Sequence, residues 1–545
     1  MTFKLLTTLT IFACLAGVSA LWAQEGAAPG AGLSAPREAQ PMPEMSDIEA
    51  DWARGDFVSV RAGLRRLAQE RGDAFSAYRY GRVLLEGRGG PVDVAQADHW
   101  LSRAAEGGNV DAATLLARVY LSNIPGGPTR EPARAAGLLS QAAARGNAEA
   151  QYLLGLLTDG GTGVPQDAAM AYNWFLAAAE QQHPGAQLEV SRALSRGKGT
   201  ALDTGAALDW LTRAAENGEA EAQFYLSNAY ESGGSVPANP TEAMRWLRRS
   251  AEAGFLPAQG RLGAKHLAGG DVAQDPAEAR RWLGRAAQAG SARALYLLGL
   301  AYLGEDGGAA DPAQALQALR NASGQGHGPA TLRLAQLAET GLANAMAADF
   351  ETSVALYRKA LAEDQPEAAP HLGSLAARGR LDGLVAPHQA VPWVLAAAGT
   401  GDVNAEAWLA ARAGEGLRPA LVAQGRWLLD RAQPAGAAES FRTAAQMGDT
   451  DAQYELGRMY SQGAGVVQDY LMAHAWLNVS AAGGNDAAAE LRGVIGDLIP
   501  PEEEAAAQAR VRAFFAAVAQ ADPGTPVAMP GAPEDAAPGG VEPAE

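Results

Sequence analysis

Between Arg213 and Tyr230 the chain reads RAAENGEAEAQFYLSNAY, and close variants of that phrase return throughout. RAAEGGNVDAATLLARVY starts at Arg103, AAARGNAEAQYLLG at Ala142 and TAAQMGDTDAQYELGRMY at Thr443. Aligned on Ala222, the recurring alanine stands at Ala112, Ala150, Ala186, Ala258, Ala294, Ala330, Ala368, Ala405, Ala452 and Ala488, with Ser76 in its place at the start. The five intervals from Ala150 to Ala330 are 36 residues each, and the other intervals run from 36 to 47. A fixed period of this length marks an array in which each unit is one supersecondary element.

The period carries two helices. Five residues after each alanine comes a small residue, such as Gly81, Gly155, Gly263, Gly299, Gly373, Ala410 or Gly457, usually preceded by Leu (Leu154, Leu226, Leu262, Leu298, Leu456). Small and apolar positions at this spacing fit a helix, A, whose backbone lies close to a neighbour. Gly108-Asn109 and Gly146-Asn147 supply a turn and an N-cap before it. Nineteen residues ahead of each alanine stands a second candidate N-cap: Asp93, Asp167, Asp203, Asn239, Asp275, Asp311, Asp349 and Asp469, with Glu131 in one unit. Alanine follows four residues later, and three beyond that comes Trp100, Trp174, Trp210, Trp246, Trp282, Trp393 or Trp476. This defines helix B, in which Ala and Trp share a face, so that the ring of one helix fills the space left by the small residue of another. No single unit can bury its own apolar face, so each must stack on the next, and stacking holds the same residues at the same places.

GTGVPQDAAMAYNWFLAAAE (Gly161–Glu180) and GAGVVQDYLMAHAWLNVSAAGGNDAA (Gly463–Ala488) resemble the Sel1-like repeat, a relative of the tetratricopeptide repeat, in its exported bacterial type. The resemblance extends over about 55 to 495. It implies an all-α fold, an α/α superhelical solenoid of about eleven helix-turn-helix repeats of ~36 residues, with helix A lining a concave surface. Repeats are expected over 46–340, degenerate repeats over 341–450, where Pro419 and Pro434 fall in the 47-residue interval, and a C-terminal repeat over 451–499. A capping helix is expected over 500–520, opened by Pro500-Pro501 with acidic residues behind it and sealed by Phe514, Phe515 and Val518. Low-complexity sequence makes 521–545 a disordered tail and 24–45 a flexible lead.

The first 23 residues, with Lys4 ahead of an apolar run from Leu5 to Val18 and small residues at Ser19-Ala20, read as a secretory signal peptide. The expected location is therefore export, to the periplasm. Cys14 is the single cysteine and lies inside that segment, in a poor match to a lipoprotein signal. Without it the mature chain has no thiol for disulfides or metal. No later run approaches the ~20 apolar residues of a membrane span. A net charge of -18 argues against nucleic acid as a partner.

No catalytic constellation assembles from the sequence. Ser195-Arg-Gly-Lys198 has the Ser-x-x-Lys spacing of penicillin-recognising enzymes, but Ser-Asp-Asn and Lys-Thr-Gly are both absent. The Gly-x-Gly stretches lack Gly-Lys-Ser/Thr and follow helices, so they read as turns. The seven histidines form no His-x-x-x-His pair, and no metal or cofactor is expected. By the resemblance, residues two and six after the marker alanine point into the groove: Tyr78, Arg82, Arg118, Tyr152, Arg192, Phe224, Asn228, Tyr296, Tyr454 and Arg458. Aromatics and arginines dominate binding hot spots, and the arginines would collect positive charge on the groove of an acidic protein. The alternative for these rings is packing between units. The expectation is a non-catalytic exported scaffold that binds a protein or peptide in this groove. The alternative is a periplasmic adaptor in exopolysaccharide or cell-envelope assembly.

Overall fold

The computed structural model describes residues 43–521, apart from 235, 271, 305–307 and 343–344, and residues 525–530; the side chains of 501, 502 and 504 are also left aside. The signal segment, the lead up to residue 42 and the tail from 531 lie outside the described residues. The chain divides into two compact units, one ending at Leu262 and one beginning at Gly263.

The first unit opens with α1 (Met45–Arg54), α2 (Phe57–Glu70), α3 (Ala74–Glu86) and α4 (Val94–Glu106). It continues through α5 (Val110–Leu121), α6 (Pro132–Ala144), α7 (Ala148–Gly160), α8 (Ala168–Glu180), α9 (Pro184–Arg196), α10 (Thr204–Glu216), α11 (Ala220–Ser232) and α12 (Pro240–Glu252). The division between units falls inside α13 (Leu256–Ala268). The second unit contains α14 (Pro276–Gln288), α15 (Ala292–Leu303), α16 (Pro312–Gly324), α17 (Gly328–Thr340), α18 (Phe350–Ala362), α19 (Ala368–Ala377) and α20 (Pro387–Gly399). It ends with α21 (Val403–Gly414), α22 (Arg418–Asp430), α23 (Pro434–Gln446), α24 (Thr450–Gln462), α25 (Tyr470–Ala482), α26 (Asp486–Gly496) and α27 (Pro501–Val518). Each unit is a stack of antiparallel A–B pairs, and the described residues contain no strand.

The caps fall where the residue types place them. Asp93, Asp167, Asp203, Asn239, Asp275, Asp311, Asp349 and Asp469 all accept a backbone N–H from the first turn of their B helix. Each satisfies one of the donors that a helix start leaves without a partner. Glu131, whose carboxylate sits one methylene further out, makes no such bond.

The marker alanines are buried, and the small residue five positions on is where two helices touch. A Cβ added at Gly155 would lie 2.6 Å from the Phe175 ring, one at Gly81 2.8 Å from Leu101, and one at Gly299 2.7 Å from Leu319. The intruding side chain is thus the residue after the tryptophan column. Trp100, Trp246, Trp282 and Trp476 are buried beside it, while Trp174, Trp210 and Trp393 are partly covered.

A repeated buried glutamine, not singled out in the sequence reading, locks A to the preceding B. Gln151, Gln187, Gln223, Gln259 and Gln453 donate through Nε2 to the carbonyls of Ala143, Ala179, Ala215, Ala251 and Ala445 at 3.0–3.2 Å. Those carbonyls end the B helices, where acceptors would otherwise stay unpaired.

The Gly-x-Gly turns also join successive pairs. The first glycine ends helix A in the left-handed conformation, as Gly197 does at φ +62°. The second, Gly199, has φ +74°, and a Cβ there would fall 2.0 Å from the Ala168 carbonyl oxygen at the start of α8. Only hydrogen fits.

Three expectations for the second unit are corrected. Ala405 was aligned as a marker with Ala410 as its small partner, but Ala410 is exposed. The A helix paired with α23 is α22, with buried Ala420 and Gly425, where a Cβ would meet Phe441 at 2.7 Å. Helix α21 is an additional helix between pairs, which explains the 47-residue interval. In α27 the sealing face is Ala507, Val511 and Phe514, with Phe514 edge-on to Trp476 at 5.4 Å, whereas Phe515 and Val518 are exposed. Within the span read as disordered tail, residues 525–530 pack at the C-terminal end of α23: the Val527 N–H donates to the Gln446 carbonyl at 2.9 Å and Met529 is 1% exposed.

Candidate functional site

Helix A leaves one face uncovered by helix B, and in the first unit that face forms a cleft of about 360 Å³ across α3, α5 and α7. It brings together Tyr78, Arg82 and Arg118 of the sequence candidates, over a floor of Leu85 and Leu115. Glu86, Asp111, Thr114, Asn147 and Glu149 complete the walls. Fixed neighbours hold the polar groups. Arg82 Nε donates to Glu86 at 2.7 Å, and Asn147 Nδ2 donates to Asp111 at 3.0 Å while its Oδ1 caps α7.

Glu149 joins the cleft to the next pair. It accepts from His183 Nε2 at 2.9 Å and lies 3.6 Å from Arg118. His183 Nδ1 in turn accepts the Ala186 N–H, which fixes the ring's proton on Nε2. Burial pushes the Glu149 carboxyl up, but the hydrogen bond from His183 together with the nearby Arg118 charge outweighs it, leaving its pKa below the usual 4.5. A carboxyl depressed on folding stabilises above its unfolded pKa, and that contribution is lost as pH falls through the folded value. The stability gap between the wild type and Glu149→Gln should therefore be full at pH 7 and shrink as pH falls below about 4.5. Urea denaturation at both pH values measures it, and a gap that does not change with pH would contradict this assignment.

The other candidates do not share that cleft. The Tyr152 ring stacks on His183 at 4.5 Å, Phe224 packs on Phe255 at 5.4 Å, and Tyr296 of the second unit packs on His327 at 5.0 Å. Each ring thus rests on the residue preceding the next A helix, and all three are half-buried between pairs. Arg192 pairs with Glu189 and Glu221. Burial alone would lower its pKa, but the two carboxylates raise it, so its charge is fixed and spent. Asn228 accepts from Arg261, which also pairs with Glu231. In the second unit Arg458 bonds Glu455 through two nitrogens, and Tyr454 is half-buried against the core.

The expected surplus of positive charge is therefore absent at these positions: Arg82, Arg118, Arg192 and Arg458 each have an acidic partner. Two of the acids, Glu149 and Glu221, stand one residue ahead of the marker alanine, at the second residue of their A helices. Acidic residues recurring there were the available sequence signal.

The catalytic alternatives gain no geometry. Ser195 Oγ donates to the Arg192 carbonyl at 3.0 Å, and Lys198 pairs with Asp159 at 2.5 Å. No nucleophile–base hydrogen bond links the two. Among the described residues no three His, Cys, Asp or Glu side chains converge, and no helix is long and apolar enough to cross a membrane.

A family model described as Sel1 repeat matches residues 74–109, 110–147, 148–183, 184–219, 220–255, 256–291, 292–327, 328–364 and 450–485. The unmatched stretch between the last two contains the additional helix α21. Among solved structures, c5321, a protective antigen of uropathogenic Escherichia coli with an SLR fold, is similar with a TM-score of 0.53 and 28% identity, over 83% of this chain and 94% of that one. Chitin synthase regulator SKT5 of Malassezia restricta is 33% identical over 127 residues, 23% of this chain and 9% of that protein. Chitin synthase regulatory factor 3 of Schizosaccharomyces pombe is 35% identical over 88 residues, 16% of this chain and 9% of that protein. The chain thus spans 9% of the length of these curated relatives.

Proposed function

This chain belongs to the Sel1 repeat family, and from that premise we propose that it is a non-catalytic exported scaffold that binds a protein or peptide on the open face of its A helices. The observation that carries this reading is the cleft across α3, α5 and α7, with an apolar floor and walls whose polar groups are already oriented. Such a site offers hydrophobic area and preset hydrogen-bonding groups, the two things an extended peptide needs. Because Arg82 and Arg118 are already paired, binding here should depend on shape and apolar contact more than on net charge, and should weaken only modestly with salt.

A crosslinking amino acid placed at Tyr78 in the producing cell should capture a discrete protein partner. Arg82→Glu combined with Arg118→Glu should remove it, because each substitution puts a carboxylate beside an existing one. Arg192 is unsuitable for this purpose, since its replacement would leave Glu189 and Glu221 facing each other. An unchanged set of captured species in the double variant would end the groove reading. The second reading, an adaptor in exopolysaccharide or envelope assembly, draws support from the names of the fungal relatives, which are regulators of a polysaccharide synthase. Capture of a polysaccharide-assembly component at Tyr78 would favour it.

A further inference from the structure

At the C-terminal end of the second unit, residues 525–530 run without helix beside a cleft lined by the end of α23, the end of α25 and α27. Exposure alternates along this segment: Val527 and Met529 turn inward, while Pro526 and Ala528 face solvent. That is the period of an extended chain, in which every second side chain lies on the same side. Met529 is buried in the core of the last pairs, and Val527 packs against the same cluster. The Val527 N–H donates to the Gln446 carbonyl, which belongs to the last turn of α23 and follows the Ala445 carbonyl taken by Gln453. The segment thus satisfies an acceptor that the helix end leaves over.

Main-chain bonding combined with alternate inward side chains is how extended peptides add to a folded partner. Here the fit is incomplete. The cleft keeps an open volume of about 300 Å³, lined by Val527 of the segment together with Met447, Val479, Phe515 and Val518. Packed interiors contain few voids larger than a water molecule, so the segment sits in a seat that it does not fill. Phe515 and Val518, on the wall that α27 provides, are 45% and 42% exposed. None of the lining side chains carries a charge. An occupant must therefore be apolar and uncharged where it enters, because a charge buried there would lose its hydration without gaining a partner.

We propose that this end of the array is a binding site for an extended, uncharged peptide segment with apolar side chains at alternate positions. Residues 525–530 are its tethered occupant, and a partner's segment of that kind displaces them. The segment follows α27 within a few residues, so it competes at an effective concentration of about 1 mM, and only a segment that outbids this threshold enters. The site belongs to the second unit and is separate from the cleft across α3, α5 and α7.

Fluorescence anisotropy with a dye-labelled Thr-Pro-Val-Ala-Met-Pro peptide, titrated with the full chain and with its Met529→Asp variant, tests this. Met529→Asp puts a carboxylate into an apolar seat and should release the tethered segment. The variant should then bind the peptide one to one, about tenfold more tightly than the wild type, whose own segment competes. A peptide carrying Met529→Asp should not bind. Val518→Asp, added to the variant at an exposed position, should weaken binding about tenfold. If Met529→Asp does not fold, hydrogen exchange of the wild-type chain decides: peptide at several millimolar should speed exchange of the Val527 amide and leave amides within α25 unchanged. Arg82→Glu with Arg118→Glu should alter none of these results, so the two sites stand or fall separately. The proposal is overturned by a folded Met529→Asp chain that binds no peptide, by equal affinity of variant and wild type, or by undiminished binding of the Met529→Asp peptide. It is equally overturned by a Val527 amide indifferent to the peptide, or by dimerisation of the variant in sedimentation, which would assign the uncovered face to a second copy.

Discussion

Trp246→Ala should lower the stability of the first unit by about 3–5 kcal/mol, the range for truncating a buried tryptophan. The ring is 4% exposed and packs with Ala214, Ala215, Ala222 and Leu226, so its loss opens a cavity shared by α10, α11 and α12. The outward face is covered by Arg245 and Arg249, whose guanidinium carbons lie 4.8 and 5.0 Å from the ring centre. These arginines would lose their platform as well. Contacts in an array are made with nearest neighbours, so the damage should be local. Hydrogen exchange should show amides in α10–α12 opening far more readily, while those near α3 and α4 keep their protection. A urea transition and exchange pattern unchanged by the substitution would show that the ring is not a packing element.

Gly373→Ala should cost about 3 kcal/mol, toward the upper end for overpacking, because the obstacle is main chain. A Cβ at Gly373 would fall 2.0 Å from the Trp393 carbonyl oxygen, with the Ala397 methyl at 2.8 Å. At Gly155 or Gly299 the obstacle is a side chain that can turn aside, whereas α20 would have to move as a body. The matched control is Gly284→Ala in α14, where nothing lies within 4 Å of the added carbon. That substitution should stabilise the same unit by about 0.5–1 kcal/mol through helix propensity and reduced freedom of the unfolded chain. Thermal or urea denaturation of the pair should give shifts of opposite sign. Equal shifts would mean that the close approach of α19 and α20 is not what selects glycine.

How much of this the sequence revealed depended on what each residue answers to. The aspartate caps were legible because capping is local: an acceptor three residues ahead of a helical N–H needs no tertiary partner. The alanine and glycine columns were legible because every interface repeats. Helix α22 was not, because its pair lacks the tryptophan, with Ser440 in that column and Phe441 doing the packing. Its marker Ala420 stands 15 residues after Ala405, an interval that belongs to no repeat. The state of the groove arginines was hidden for another reason. Arg118 meets Glu149 31 residues later and Arg192 meets Glu221 29 residues later, distances that have meaning only once pairs are stacked. The rings at Tyr152 and Phe224 illustrate the same limit, since one residue type serves both partner and neighbour.

The glycine seat at the second position of each Gly-x-Gly turn bears on how such a chain can grow. Gly89 faces the Phe57 carbonyl, Gly163 the Pro132 carbonyl, Gly199 the Ala168 carbonyl and Gly465 the Pro434 carbonyl. On one side the joint is a hydrogen atom and on the other a peptide group, so neither depends on which side chain the adjoining module brings. A duplicated or transplanted module would find a compatible seam wherever it landed. Array length could then change by whole modules while every seam kept the same two groups.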